Sequence, residues 1–496
     1  MQTVHLRIND SVTGKPIPVR LRIATADGTA LAPFGMPPTF PTGIHESVGT
    51  GLRIDRENWW AIDGACEIQL PIETPLRIRA VKGLEYMPLD ETVVLGPGKM
   101  ALRFVMERWT NESSRGWYSG DCRSHFIPPH AAILETAAEG LDFASLLIRE
   151  YPAFSHDGHL YPLADNLAAF SGQEPALQRD GHIVAVNTLN IHPTLGRVGL
   201  LHTHRPTFPL SFGGEQCDDW SLCDWCNQGH RKQGVTVWVD PFQPSSGILG
   251  GESLVAAILG KIDAVEVDPK PRSYSLLPWY YRMLNAGLRL PLVGSSGKES
   301  NAVPLGAMRT YVQSGTASLS GWMDGIRSGK TYVTNGPILS FQVNDAGPGE
   351  TIKDVAGPMK LVAQAESLAP FDRLELIANG HVISTTMPQR NESGRTIARV
   401  EYDWQPQESG WLVARVIGST AQPVFAHSSP VYLDLTNRPQ TNRQAHIPLL
   451  KKCLEDTRQW IETHGQFAEA KRRIHLLQMC ENAMYQLNEL GRSKSS

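Results

Sequence analysis

The stretch WSLCDWCNQGHRKQ (residues 220–233) predicts a helix, and VTVWV (235–239) directly after it predicts a buried strand. Helices and strands alternate in the same way through the middle of the chain, with helix candidates at 131–140, 252–259 and 277–286 and strand candidates at 143–148, 182–186, 264–267 and 290–293. Repeated alternation of this kind is typical of βα units around a parallel sheet. Residues 113–340 are therefore predicted to form an α/β barrel whose chemistry lies at the carboxyl ends of the strands.

The segments on both sides of the barrel have a different pattern. Residues 1–112 contain short strands with period-two alternation and turn residues between them, which predicts a small β-sandwich. The phrase SVTGKPIPVRLRI (11–23) resembles the carboxypeptidase-regulatory type of sandwich. Residues 341–436 return to period-two strands and include the hairpin signal Asn379-Gly380, which predicts a second sandwich. Residues 437–496 predict a pair of helices, either docked on the body or used for homo-oligomerisation.

Composition excludes several classes of function. The chain has 496 residues, 41% hydrophobic and 19% charged, with a net charge of −4, which indicates a globular protein with no expected nucleic-acid or membrane partner. No apolar run is long enough to span a bilayer. The start, MQTVHLRI, lacks a charged-then-apolar leader, so we expect a cytoplasmic protein, with secretion left open.

The seven cysteines are odd in number and unevenly spaced, which favours free thiols over a disulfide framework. Cys223 and Cys226 form a single CxxC with Cys217 nearby. One CxxC without a second pair is a weak zinc signal, so we expect buried thiols, with a structural metal or a redox role as the alternative.

The run WYSGDCRSH (117–125) resembles a metal-binding motif with one ligand replaced. An Asp-x-His-x-His run at the end of a strand points alternate side chains to one side, where two imidazoles can share a metal ion. Asp121 and His125 fit this pattern, but Arg123 stands at the first histidine position. A guanidinium at that position would repel a divalent ion.

Four phrases together resemble the polymerase-and-histidinol-phosphatase (PHP) superfamily, specifically its CehA/McbA-like branch. They are GWYSGDCRSH (116–125), GKIDAVE (260–266), PLGAMRTY (304–311) and GKTYVTNGP (329–337). The resemblance implies a distorted seven-stranded (β/α)7 barrel with up to three divalent metals held at the strand ends. It also implies that metal-activated water attacks an ester, carbamate or phosphoester.

The resemblance implies a reduced set of metal ligands in this chain. Asp121 and His125 match the first motif, Glu174 matches a bridging carboxylate and His182 matches the histidine after it, whereas Asp240 and Glu299 stand where the family has histidines. The Thr-Asp-His that follows the second strand in the family has no counterpart in LIREY (147–151). Such a set suits one Mn, Zn or Fe ion per chain better than a trinuclear cluster.

Four further residues are candidates for catalysis. Arg123 or Lys298 would stabilise a developing oxyanion, and His202 or His204 would protonate the leaving group. Arg123 and Lys298 also support a competing hypothesis, because two cations could replace the metal and hold a carboxylate or phosphate.

Two hypotheses follow, and the first is favoured. In the first, the chain is a metal-dependent hydrolase of the CehA/McbA-like type that acts on a small-molecule substrate. In the second, it is a catalytically inactive PHP barrel that binds an anionic small molecule or a carbohydrate.

Overall fold

The computed structural model describes residues 1–43, 48–49, 51–154, 160–213, 217–243, 248–269, 276–354, 357–418, 423–436 and 438–492. The first region consists of strands β1 (Gln2–Asp10), β2 (Val19–Thr25), β3 (Gly51–Ile54), β4 (Glu57–Ile62), β5 (Ala65–Leu70), β6 (Pro75–Val81), β7 (Leu89–Val94) and β8 (Ala101–Met106). These strands form a three-stranded sheet, β5-β1-β8, and a five-stranded sheet, β3-β4-β2-β6-β7. Inward residues of both sheets share one apolar core, as the period-two pattern predicts.

The middle region contains, in chain order, β9 (Trp117–Ser124), α1 (Pro129–Ala138), β10 (Phe143–Ile148), β11 (Glu150–Phe154), β12 (Leu160–Ala164), β13 (Leu177–Arg179), β14 (His182–His192), β15 (Gly196–Leu201), α2 (Leu222–Arg231), β16 (Val235–Trp238), α3 (Gly251–Ile258), β17 (Ala264–Val267), α4 (Leu276–Asn285), β18 (Leu292–Gly294), β19 (Arg309–Gln313), α5 (Leu319–Arg327) and β20 (Thr331–Thr334). The helices and strands that the sequence predicts at 131–286 are therefore present, with boundaries shifted by a few residues.

The strands of this region form a curled sheet in the order β18-β17-β16-β15-β14-β10-β9-β19-β20. Strand β15 runs antiparallel to both of its neighbours, and the short strands β11, β12 and β13 replace a helix between β10 and β14. The arrangement is therefore less regular than the predicted (β/α)7 barrel. The segment after β18 meets the end of β9, where the amide N–H of His125 donates to the carbonyl of Lys298 at 2.8 Å.

The strands of the last β region divide between this curled sheet and a separate four-stranded sheet. The region consists of β21 (Ile338–Val343), β22 (Thr351–Lys353), β23 (Met359–Ser367), β24 (Arg373–Ala378), β25 (His381–Thr386), β26 (Gln389–Arg390), β27 (Thr396–Trp404), β28 (Gly410–Ile417), β29 (Phe425–Ser428) and β30 (Val431–Asp434). β20 pairs with β29, and β21 runs through the predicted boundary at residue 340. The middle and last regions are thus joined by backbone hydrogen bonds across that boundary.

The helical tail consists of α6 (Arg443–Thr463) and α7 (Ala470–Arg492). The apolar residues of both helices belong to the same buried cluster as those of α2, α3 and α4. The two tail helices therefore pack on the body of the protein, which is the first of the two alternatives that the sequence leaves open for residues 437–496.

Candidate functional site

The candidate site lies where several strands of the curled sheet end. β9, β10 and β14 run parallel, as do β16, β17 and β18, so the carboxyl ends of these strands meet at one edge of the sheet. In open and closed α/β sheets, ligands bind at this edge. The residues at or just after the strand ends are strongly polar, and most of their side chains are buried.

Asp121 differs from the expectation for a metal ligand. An extra residue in β9 shifts the register between the pairs Asp121–Ala144 and Ser124–Leu146, so the simple alternation of side chains is broken there. Asp121 accepts backbone N–H bonds from Ser296 (3.0 Å) and Arg123 (3.1 Å) on Oδ1 and from Gly306 (2.9 Å) on Oδ2. Both of its oxygens are thus used to hold loop backbone.

Arg123 is enclosed by three carboxylates. Its Nε lies 2.6 Å from Oε1 of Glu266, and its Nη2 lies 3.1 Å from Oε2 of Glu266, 3.5 Å from Asp240 and 3.7 Å from Asp268. We call these four residues the arginine–carboxylate cluster. Only 1% of Arg123 is exposed. Although burial alone lowers the pKa of Arg123, the charges of Glu266 and Asp240 outweigh it and hold the pKa above its usual value.

Gly297 is required by the close approach of this guanidinium. Its φ of +56° is one that glycine adopts at little cost, and a Cβ at this position would lie 2.9 Å from Nη2 of Arg123. The loop after β18 therefore closes directly over the arginine.

His125 has a fixed tautomer. Its Nδ1 lies 2.7 Å from the carbonyl oxygen of Leu147, which can only accept, so Nδ1 carries the proton. Its Nε2 is buried and has no hydrogen-bond partner among the described residues. Burial, and then the charges of Arg123 and Arg149, lower the pKa of His125 well below the usual value. The site thus contains a neutral imidazole with a lone pair ready to accept a hydrogen bond.

Two further ion pairs lie next to the arginine–carboxylate cluster, and one of them shares Asp240 with it. Arg149, just after β10, donates to Glu299 at 2.6 Å, and Arg197, at the start of β15, pairs with Asp240. The side chain of Arg197 is 37% exposed, whereas that of Asp240 is 6% exposed. Glu299 therefore lies at the predicted edge, but it faces an arginine.

Lys298 differs from the expectation of an anion-binding cation. Its Nζ lies 3.1 Å from Oε1 of Glu135 in α1 and donates to the carbonyl of Val303 at 2.7 Å. The side chain is completely buried. Because Arg123 and Lys298 each face carboxylates, the two do not form the unneutralised cationic pocket that the sequence predicts.

His182 and Glu174 lie away from the cluster. His182 begins β14, at the amino ends of the parallel strands, where its Nδ1 donates to the carbonyl of Leu141 at 2.5 Å. Glu174 is exposed in the turn before β13. The family motifs predicted Glu174 and His182 as metal ligands. In the fold, both residues lie away from the arginine–carboxylate cluster.

His202 and His204 also lie at another edge. They follow β15 where β16 begins, and Nδ1 of His204 lies 3.2 Å from the carbonyl of Lys232. Asp240 follows the opposite end of β16. The two histidines are therefore not positioned to protonate a group held at the arginine–carboxylate cluster.

The residues present do not fit the metal centre that the resemblance implies. Among the described residues, no set of three or more His, Cys, Asp or Glu side chains is arranged to hold a metal ion. The carboxylates closest to that role are Asp240, Glu266 and Asp268, and the guanidinium of Arg123 lies within ion-pair distance of all three.

A cavity of about 150 Å³ adjoins the cluster on the side of Asp240. It is lined by Arg197, Asp240, Trp238, Phe242 and Gln243, among others. The rings of Trp238 and Phe242 lie 4.8 Å apart, so one wall of the cavity is aromatic. Asp240 and Phe242 have positive φ angles of 48° and 56°, which are uncommon for non-glycine residues and occur often at functional sites.

Several site residues were missed by sequence reasoning, namely Glu266, Asp268, Arg149 and Arg197. Glu266 did carry a signal, because it is an acid inside the otherwise apolar strand 264–267. A buried charge in a strand needs a partner, and that partner is Arg123.

Comparisons with known proteins give a weak likeness to a solved structure. No protein-family model and no curated protein matches the chain. A solved structure from Bacteroides vulgatus ATCC 8482, a two-domain protein containing a predicted PHP-like metal-dependent phosphoesterase, is similar with a TM-score of 0.33 at 12% identity, over 64% of this chain and 94% of that chain. None of the helices in the described part of the chain combines the length and apolar character of a membrane span.

Proposed function

We propose that this chain is a binding protein in which the arginine–carboxylate cluster stands where a metal centre would lie, and that the adjoining cavity binds a neutral polyhydroxylated ligand of the carbohydrate type. The observation that carries the proposal is the contact of Arg123 with Asp240, Glu266 and Asp268. The guanidinium of Arg123 supplies the positive charge that three buried carboxylates need, so no metal ion is required to balance them.

The charge balance favours a neutral ligand over an anion. Arg149 and Arg197 are paired with Glu299 and Asp240, so neither adds an uncompensated positive charge to the cavity. Paired guanidinium and carboxylate groups present donors and acceptors together, which suits hydroxyl groups, since each hydroxyl both donates and accepts. Nε2 of His125 adds one more acceptor near the cluster.

The aromatic wall supports the same ligand class. Trp238 and Phe242 line the cavity beside the polar pair Arg197–Asp240, with 1% of Trp238 and 8% of Phe242 exposed. Pockets for small molecules combine apolar and aromatic walls with a few placed polar groups. A C–H group of a sugar would contact the small exposed part of these side chains while its hydroxyls meet the ion pair.

The test is titration of the protein with a panel of mono- and disaccharides, followed by calorimetry. We expect binding by at least one sugar, and a loss of about tenfold or more in affinity for Arg197→Met and for Phe242→Ala. Arg77→Met is the matched control, because Arg77 forms a similar pair with Asp90 on an exposed sheet surface. Binding that is equally strong in all three variants would show that the sugar does not use this cavity.

A metal-dependent hydrolase of the CehA/McbA-like type is the second candidate. The observation that favours it is the buried Nε2 of His125, whose lone pair is of the kind that ligates Zn, Mn or Fe. Elemental mass spectrometry of protein purified without chelator distinguishes the two candidates. Near one metal per chain, lost in His125→Ala, would favour the hydrolase and justify ester, carbamate and phosphoester screening.

A further inference from the structure

A second and larger cavity lies at the opposite edge of the curled sheet. It has a volume of about 650 Å³ and is lined by residues of the first β region, such as Lys82 and Tyr86, and by Asp142 and His182. Asp142 directly precedes β10 and His182 begins β14, so the cavity faces the amino ends of these strands. We call it the amino-edge cavity. Nothing in the proposed function uses it.

Lys82 is a buried cation without a carboxylate partner. Its Nζ donates to the carbonyls of Ala137 at 2.6 Å and Pro18 at 3.1 Å, and it forms no ion pair within the described ranges. Only 7% of the residue is exposed. Burial, and then the charge of Arg108, lower the pKa of Lys82 to about 8, so the amine is still mostly protonated at neutral pH.

Asp142 is the complementary case, a largely buried acid without a cation in contact. Its Oδ2 accepts from the amide of Ser119 at 2.7 Å and from the hydroxyl of Ser119 at 3.1 Å, and no ion pair involves it in the part of the chain that the structure describes. Burial raises the pKa of Asp142 to about 6, so the carboxylate is mostly ionised at neutral pH.

The other charged residues of the cavity, apart from the exposed Lys15, already have partners. Arg108 donates to Glu85 at 2.5 Å, and Arg179 pairs with Asp63 and Asp180. Lys82 and Asp142 therefore remain as two opposite charges that line one cavity without touching each other. The charges of Glu139, Asp10 and Asp142, in that order, each raise the pKa of Lys82, so Asp142 is one of three carboxylates within electrostatic reach of the amine.

We infer that the amino-edge cavity binds a free α-amino acid, whose carboxylate would meet Lys82 and whose ammonium would meet Asp142. A zwitterion compensates both buried charges at once, whereas a simple anion or cation would leave one of them without a partner. His182 lines the same cavity with Nδ1 bonded to the carbonyl of Leu141, so its Nε2 would be an additional acceptor for the ammonium group.

The first experiment uses the unaltered protein and three forms of each amino acid: the free zwitterion, its methyl ester and its N-acetyl derivative. Calorimetric titration is expected to show binding of at least one free amino acid, and affinities lower by about tenfold or more for both derivatives. Equal affinities for the three forms, or no binding of any free amino acid at millimolar concentration, would overturn the inference. This comparison does not depend on whether any variant folds.

The second experiment assigns each charge to its residue. Lys82→Met should lower the affinity for the zwitterion but leave the affinity for the methyl ester nearly unchanged, because the ester has no carboxylate to pair with Lys82. Asp142→Asn keeps an oxygen for the Ser119 bonds. It should lower the affinity for the zwitterion and leave the affinity for the N-acetyl derivative nearly unchanged. Arg197→Met, at the other cavity, should change none of these affinities. A zwitterion affinity that falls only in Arg197→Met would place the ligand elsewhere and overturn the inference.

Discussion

Nε of Arg123 lies 2.6 Å from Oε1 of Glu266, at the centre of the curled sheet's carboxyl edge, and both side chains are almost completely buried. A buried charge that loses its partner costs several kcal/mol. The stability of this edge therefore depends on the pair.

Arg123→Met should lower the free energy of unfolding by about 3–5 kcal/mol, because Glu266, Asp240 and Asp268 would lose their common cation. Urea unfolding measures the change. Arg103→Met on the exposed face of β8 is the control and should stay within about 0.5 kcal/mol of the unaltered protein. Similar losses in the two variants would contradict the role assigned to Arg123.

Arg123→His should create a binding site for Mn²⁺. The variant removes the guanidinium and leaves three carboxylates beside two imidazoles, His125 and the new one, which is a ligand set suited to Mn²⁺ or Zn²⁺. Electron paramagnetic resonance of free Mn²⁺ during titration measures binding. Arg123→Met is the control for the loss of charge alone and should bind more weakly. Failure of Arg123→His to bind more Mn²⁺ than the unaltered protein would show that the three acids do not form a latent cation site.

Glu252→Gln should destabilise the protein by about 1–3 kcal/mol. Glu252 accepts from the hydroxyl of Ser221 and from the amides of Leu222 (3.0 Å) and Cys223 (3.2 Å), where α2 begins, and an amide oxygen cannot replace both carboxylate oxygens. Thermal unfolding measures the effect, with the exposed Glu107→Gln as the matched control. An unchanged melting temperature for Glu252→Gln would refute this role.

His427 should make the protein less stable as the pH falls. Burial, and then Arg415, lower its pKa to about 3, and its ring is held neutral between the hydroxyl of Tyr281 and the carbonyl of Ser428. In the unfolded chain its pKa is about 6.5, so between these values only the unfolded state takes up the proton. Stability is then complete above about pH 6.5 and falls by at most about 1.4 kcal/mol per unit as the pH decreases.

The measurement for His427 is urea unfolding at several values between about pH 4 and 6. His427→Gln should show a smaller loss of stability over this interval than the unaltered protein. His130→Gln, in which an exposed histidine is replaced, should keep the full loss. Parallel curves for His427→Gln and the unaltered protein would rule out this contribution.

The thiols of the CxxC should be unreactive in the folded protein. Cys223 and Cys226 are both buried on the inner face of α2, and burial raises the pKa of each thiol. Cys217 is exposed and should react first with iodoacetamide, as peptide mass spectrometry would show. Rapid labelling of Cys223 in folded Cys217→Ser would contradict this expectation and revive the redox alternative.

Local patterns in the sequence predicted most of the elements but not how they join. The helices and strands between 131 and 294 follow from apolar periodicity, and the tail helices follow from their stripes. The pairing of β20 with β29 links segments about ninety residues apart, and no local pattern carries that information. The antiparallel β15 was missed for the same reason, because strand direction is decided by pairing partners.

The sequence by itself determined that an arginine interrupts the Asp-x-His-x-His pattern and that polar residues follow the strand ends. Only the tertiary structure decided what Arg123 does. Glu266 lies in β17, Asp240 and Asp268 follow β16 and β17, and all three meet the arginine only when the sheet curls. The same curling carries His182 to the amino edge and turns Lys298 toward Glu135. Charges in a low-dielectric interior must find partners in space, and which partners they find depends on the fold rather than on spacing along the chain.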